Sequence, residues 1–196
     1  MVKKLNLILI IISTIIVVSI WILIYIVFYT SYPVFSQTKN DFSDYSQITQ
    51  SIRGKNLPRV LPELNSLEPY IDIAYEYHKR NYIIFESESI YLMAEYSQEE
   101  YENKKAIIND NYQFLDQPIE HYRDKNIDKY KIPDNHFSMN TYEFRVIADL
   151  EYPKDFGIIA ASDKYKKIVY LYFYDFDLDY IEDMFHFVEE EFNYTW

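Results

Sequence analysis

Asp175, Asp177 and Asp179 stand two apart in "YFYDFDLDYIEDMFHF", and Glu182 and His186 follow at three and seven residues beyond Asp179. Alternating aspartates open a calcium-binding loop, but such a loop needs glycine at its sixth position and a bidentate glutamate at its twelfth. This chain has Tyr180 and His186 there. The aspartates therefore read as caps of a helix that starts near Asp177, where carboxylates satisfy free N–H groups and oppose the positive end of the dipole. On that helix Asp179, Glu182 and His186 share one face. They are the candidate ligands for a divalent cation, and the candidate site of a cell-envelope hydrolase working through carboxylates and a histidine. Nothing nearby supplies further ligands, so a solvated face is the plainer expectation and no metal is assigned.

A second cluster, His78-Lys79-Arg80, concentrates positive charge in an otherwise acidic chain and is a candidate contact for a protein or peptide partner. Its position after an alternating run places it in a turn, where charge serves solubility as readily as recognition. The 22 tyrosines are a third candidate. They serve either as core and cross-strand packing or as a binding face, because tyrosine offers large contact area at low entropy cost. An AT-rich genome also encodes many Ile, Asn, Lys, Tyr and Phe residues.

Other chemistries are excluded by what is missing. Gly54 and Gly157 are the only glycines, so neither a phosphate-cradling loop nor a dinucleotide fingerprint can be built. There is no cysteine, hence no disulfide, thiol nucleophile or thiolate-bound zinc. The histidines at 78, 121, 136 and 186 fall in no standard ligand spacing. No cofactor is expected, and a binding role is favoured over an enzyme. Beyond residue 30 there are 17 basic against 31 acidic residues, a surface that repels nucleic acid.

The elements that must position these residues begin with an anchor. No residue from Leu5 to Thr30 is charged, and at 1.5 Å per residue the run covers about 39 Å, enough to cross a bilayer. Lys3 and Lys4 precede it while Trp21, Tyr25, Tyr29 and Tyr32 gather at its far end, which places the N-terminus inside. A cleaved signal peptide, with Val34-Phe35-Ser36 as the processing site, competes, but its apolar region would be shorter. The expected organisation is a cytoplasmic N-terminus at 1–4, a transmembrane helix at 5–30, a juxtamembrane spacer at 31–41 and an extracytoplasmic domain at 42–196.

In the domain, Phe42, Tyr45, Ile48 and Ile52 recur at helical spacing, with Asn40 or Asp41 as N-cap and Gly54 as the stop. The prolines at 58, 62 and 69 break the next stretch into extended or turn pieces. Ile71 to Tyr77 alternate as a strand, residues 78–81 form the turn, and "YIIFES" and "IYLMAEY" supply two further strands. Ser97 and Glu100 have capping-box spacing and start a helix reaching about Asn109. Residues 116–140 read as a surface loop. Tyr142 to Leu150 alternate as a fourth strand, and "FGIIAAS" and "KIVYLYFY" form a hairpin buried on both faces. The sum is an α+β domain with a mainly antiparallel sheet of about six strands and two or three helices. Its βββα-loop-βββα order suggests a duplication that sets Ile90-Tyr91-Leu92 on Val169-Tyr170-Leu171. The expected protein is a bacterial, single-pass membrane protein with an outward domain that binds a protein or peptide as an accessory, sensor or immunity-type factor.

Overall fold

The computed structural model describes residues 2–29, 35–81, 86–117, 135–148, 150 and 154–175. The chain divides into two compact units, residues 1–34 and 35–196.

The first unit is a single helix, α1 (Val2–Tyr29). Ile11, Ile12, Ile15, Val18, Ile22 and Leu23 are all about half exposed or more, so apolar side chains surround the helix instead of lining one stripe. A helix that is apolar all round has no solvated face. Its polar interruptions are satisfied internally: the hydroxyls of Ser13 and Thr14 both donate to the Ile10 carbonyl at 2.9 Å. Among the described residues no helix is long and apolar enough to cross a membrane.

The second unit is an α+β domain built on one antiparallel sheet. Its strands are β1 (Phe35–Lys39), β2 (Asp72–Asn81), β3 (Glu86–Glu95), β4 (His136–Met139), β5 (Tyr142–Val146), β6 (Asp155–Ser162) and β7 (Lys167–Asp175), and they lie in the order β1-β2-β3-β7-β6-β5-β4. Among the described residues four helices accompany it: α2 (Phe42–Ser51), α3 (Leu57–Val60), α4 (Leu64–Leu67) and α5 (Gln98–Asn111).

Among the described residues seven strands replace the expected six because one was split and two were missed. Residues 78–81 are not a turn: β2 runs through them and pairs continuously with β3, from Asp72 opposite Glu95 to Asn81 opposite Glu86. Of the two strands read from "YIIFES" and "IYLMAEY", Glu86 and Ser87 of the first join the second in the single strand β3, and residues 82–85 lie outside the described residues. β1 lies in the expected spacer, so the sheet begins before Phe42, and β4 lies in the expected loop. Among the described residues the first βββα unit is not formed, since only β2 and β3 lie between α4 and α5, and the helix expected to end the second lies outside them. Ile90 and Leu92 belong to one apolar cluster while Val169 and Leu171 belong to the other, so the matched residues face opposite sides of the sheet. A one-residue offset is enough to reverse faces in a strand.

The caps follow the sequence. Asp41 accepts the Ser43 N–H at 2.9 Å to start α2, and Ser97 accepts the Glu100 N–H at 3.3 Å to start α5, whose first turn also carries Glu99 and Glu100. The helix expected from Asp177, together with Asp179, Glu182 and His186, lies outside the described residues.

β7 sits in the middle of the sheet and is buried on both sides. Ile168, Tyr170 and Tyr172 join Tyr75, Tyr77, Ile90 and Leu92 on one face, against Tyr45 and Ile48 of α2, Ile52 just after it, and Tyr101 and Ile108 of α5. Val169, Leu171 and Phe173 join Phe144, Val146, Phe156 and Ile158 on the other. Fully burying one such side chain contributes about 1.5–3 kcal/mol. The two glycines allow the helical layer to press on the sheet. A Cβ on Gly157 of β6 would stand 2.4 Å from both methyls of Val60, and one on Gly54 would stand 1.4 Å from the Tyr172 hydroxyl. Neither glycine has a positive φ, so space and not backbone conformation requires them. Gly54 is thus not the stop of α2, which is capped at Ile52.

Candidate functional site

Beneath one end of the sheet, its alternation gathers charges against the core. Lys79 of β2 lies opposite Glu88 of β3 and on the same face as Tyr75 and Tyr77. Glu88 is 2 % exposed, and its carboxylate is fully engaged. Oε1 accepts from the Tyr77 hydroxyl at 2.7 Å and from Lys79 Nζ at 3.0 Å, and Oε2 accepts from the Arg53 backbone N–H at 3.1 Å. Asp155, also 2 % exposed, accepts from the Tyr172 hydroxyl at 2.7 Å and the Lys55 N–H at 2.9 Å. Glu86 completes the cluster as an ion-pair partner, its Oε1 being 3.0 Å from Lys79 Nζ and 3.4 Å from Arg53 Nε. The directed hydrogen bond of Lys79 goes to Glu88.

This network ties the loop after α2 to the sheet. Burial works against the Lys79 ammonium, yet its bonds to Glu88 and Glu86 prevail and raise its pKa. Burial, followed by the adjacent carboxylate, raises the pKa of Tyr77 and of Tyr172 well above the ordinary phenol value. Both carboxylates are saturated by groups of the chain itself, and buried charges are tolerated on just that condition. The network is a structural lock.

The expected basic cluster is therefore divided. Lys79 faces the lock, whereas His78 faces the other side, where Nδ1 lies 3.2 Å from the Thr38 hydroxyl of β1 and Nε2 contacts Glu76. Arg80 follows the same alternation as His78. The three side chains do not form one patch. The tyrosines resolve toward packing: Tyr45, Tyr75, Tyr77, Tyr91, Tyr96, Tyr101, Tyr142, Tyr170 and Tyr172 are buried. Among the described residues no group of three or more acidic or histidine side chains is placed to hold a metal.

A groove of about 430 Å³ opens between α5 and the β5–β6 pair. Its floor is apolar: Ile108 from α5, Ile159 and Ala161 from β6, and Phe114, which a single β-bridge to Ile147 holds beside the sheet. Its rim is charged. Lys105 and Asn109 come from α5, Glu143 and Arg145 from β5, and Asp163 and Lys164 from the β6–β7 turn. A concave apolar floor with a few convergent polar groups is the usual form of a ligand site.

The acidic groups of the rim are occupied. Asp163 Oδ1 accepts from Lys105 Nζ and from the Tyr101 hydroxyl, each at 2.7 Å, and these two bonds lower its pKa. Glu143 accepts from Ser138 at 2.7 Å and lies 3.0 Å from His136 Nε2, both on β4. Arg145 is different. Its guanidinium stacks 3.6 Å from the centre of the Phe114 ring, and Nη1 donates to Asn109 Oδ1 at 2.7 Å. Partial burial draws its pKa down from the ordinary value.

Sequence reasoning missed both clusters. A lysine in phase with Tyr75 and Tyr77 signals a core-facing charge, and Glu86 and Glu88 continue that phase in the next strand. The groove carried no such signal, because its wall joins residues from three separate stretches of chain. Comparison with protein-family models, with curated proteins and with solved structures finds no match.

Proposed function

We propose that this chain is a single-pass, membrane-anchored bacterial protein whose domain lies outside the cytoplasm and acts by binding a protein or peptide partner, as an accessory, sensor or immunity-type factor. The observation that carries the binding role is the groove between α5 and β5–β6, with its apolar floor and charged rim. The anchor is supported by the uncharged run from Leu5 to Thr30 and by apolar side chains on all sides of α1, surface that water would not leave uncovered. Lys3 and Lys4 ahead of the run favour an inward N-terminus.

Two measurements test this. Protease shaving of intact cells should digest the domain and spare a fragment containing α1; complete protection would overturn the outward orientation. The full-length protein, cross-linked in cells and recovered in detergent, should enrich a specific partner. Substitutions that fill the groove should abolish that enrichment, and if they leave it unchanged the groove is not the binding site.

A further inference from the structure

We infer that the groove recognises the free C-terminal carboxylate of a peptide whose last side chain is apolar, with Arg145 as the carboxylate receptor. This deepens the binding reading above and rests on it.

The inference starts from a charge imbalance. In a chain of net charge -12, an arginine surrounded by so many acids would be expected to pair with one. Among the described residues Arg145 has no carboxylate partner. Both acids on the same rim are already taken, Asp163 by Lys105 and Tyr101 and Glu143 by Ser138 and His136. A guanidinium carries five N–H donors in a planar fork, and the bond to Asn109 uses only one nitrogen of Arg145. Stacking on Phe114 and the bond to Asn109 hold that fork in place beforehand, which lowers the entropy cost of capturing a planar oxyanion.

The surroundings select the rest of the ligand. Arg145 stands directly opposite Ile159 in the β5–β6 ladder, and Phe114 lies against its flat face. The cation is therefore flanked by apolar floor. A free phosphate or an acidic side chain presented from a polar surface would leave that floor exposed to water. A peptide terminus ending in leucine or phenylalanine carries its carboxylate two bonds from an apolar side chain, and so covers both. Lys164 lines the same groove with its ammonium 4.8 Å from the Tyr165 ring, adding positive potential without a carboxylate of its own among the described residues.

The test uses the full-length protein in detergent micelles, titrated with acetyl-Ala-Ala-Leu as the free acid, the same peptide as its C-terminal amide, acetate and inorganic phosphate, with binding followed by NMR or calorimetry. The free acid should bind saturably, and the amide, acetate and phosphate each at least about tenfold more weakly, the loss expected when a charge-assisted bond or its apolar complement is removed. Arg145→Gln should lose the acid-over-amide preference, and Arg145→Lys should recover only part of it because an ammonium lacks the fork. Circular dichroism identifies a variant that has not folded. In that event the acid-to-amide ratio of the unaltered protein decides alone. Equal binding of acid and amide, binding of phosphate as tight as the peptide, or absence of peptide binding overturns the inference. Continued capture of a cellular partner by a protein without that acid preference would leave the broader binding reading standing.

Discussion

Raising the pH above about 10 should unfold this domain steeply, with tyrosine as the cause. Burial pushes the phenol pKa up for Tyr45, Tyr77, Tyr96, Tyr101, Tyr170 and Tyr172, reinforced at Tyr77, Tyr101 and Tyr172 by the hydrogen-bonded carboxylates of Glu88, Asp163 and Asp155. Above an unfolded value near 10 the unfolded chain releases phenolic protons that the folded chain retains. The folded state then binds more protons, so stability falls as pH rises. It is fully present below about pH 10. Each such group removes about 1.4 kcal/mol per pH unit, and six remove about 8 kcal/mol per unit. Lys79 acts in the same direction, its raised pKa meaning stability lost at high pH. Against a typical total of about 5–15 kcal/mol, the fold should be lost between about pH 11 and 12. Urea denaturation at stepped pH, followed by circular dichroism and tyrosinate absorbance, reads both sides of the linkage. Tyr96→Phe is the sharpest control. Among the described residues the Tyr96 hydroxyl is buried without a hydrogen-bond partner, so its removal should leave neutral-pH stability unchanged or raise it by up to about 1 kcal/mol while removing one proton from the alkaline slope. A fold that persists beyond about pH 12 while the tyrosinate absorbance accounts for all 22 tyrosines would refute the reasoning.

Other perturbations probe separate parts of the molecule. Gly157→Ala should cost about 1–3 kcal/mol in urea denaturation, because the new methyl meets both Val60 methyls at 2.4 Å and α3 must move off β6. Glu88→Ala should cost about 3 kcal/mol, since it leaves Lys79 with Glu86 alone and the Tyr77 hydroxyl and the Arg53 N–H without their acceptor; the double variant Glu88→Ala with Lys79→Met should recover part of the loss, and no recovery would deny the coupling. Ser97→Ala should lower stability by about 1 kcal/mol through loss of the α5 cap, and hydrogen exchange should quicken in the first turn of that helix.

Much of the domain was legible because the deciding signals are local. The Asp41 and Ser97 caps need only a side chain and an N–H two or three residues on, and the β6–β7 hairpin announces itself by apolar residues on both phases. β1 and β4 were not legible. "FSQTK" is polar and gains its strand geometry only from pairing with β2, and "HFSM" is four residues long. Asn140, at positive φ between Phe137 and Met139 on one side and Tyr142 and Phe144 on the other, was the available hairpin signal. β2 was ended too early by reading His78-Lys79-Arg80 as a turn, when Lys79 pairs across the strands with Glu86 and Glu88.

The sequence by itself determined the uncharged apolar N-terminal run, the α+β class, the caps, and the absence of the glycine and cysteine chemistries, since each depends on composition or on neighbours within a few residues. Only the tertiary structure decided which charges meet. The loop at Gly54 is far in the chain from Lys79 and Glu88, as Arg145 is from Asn109 and Phe114, and both sets are brought together by strand register and by a helical layer packed onto one face of the sheet. Coulombic and hydrogen-bonding forces act over a few ångströms of space, so a lock and a groove of this kind exist only after folding has set those distances.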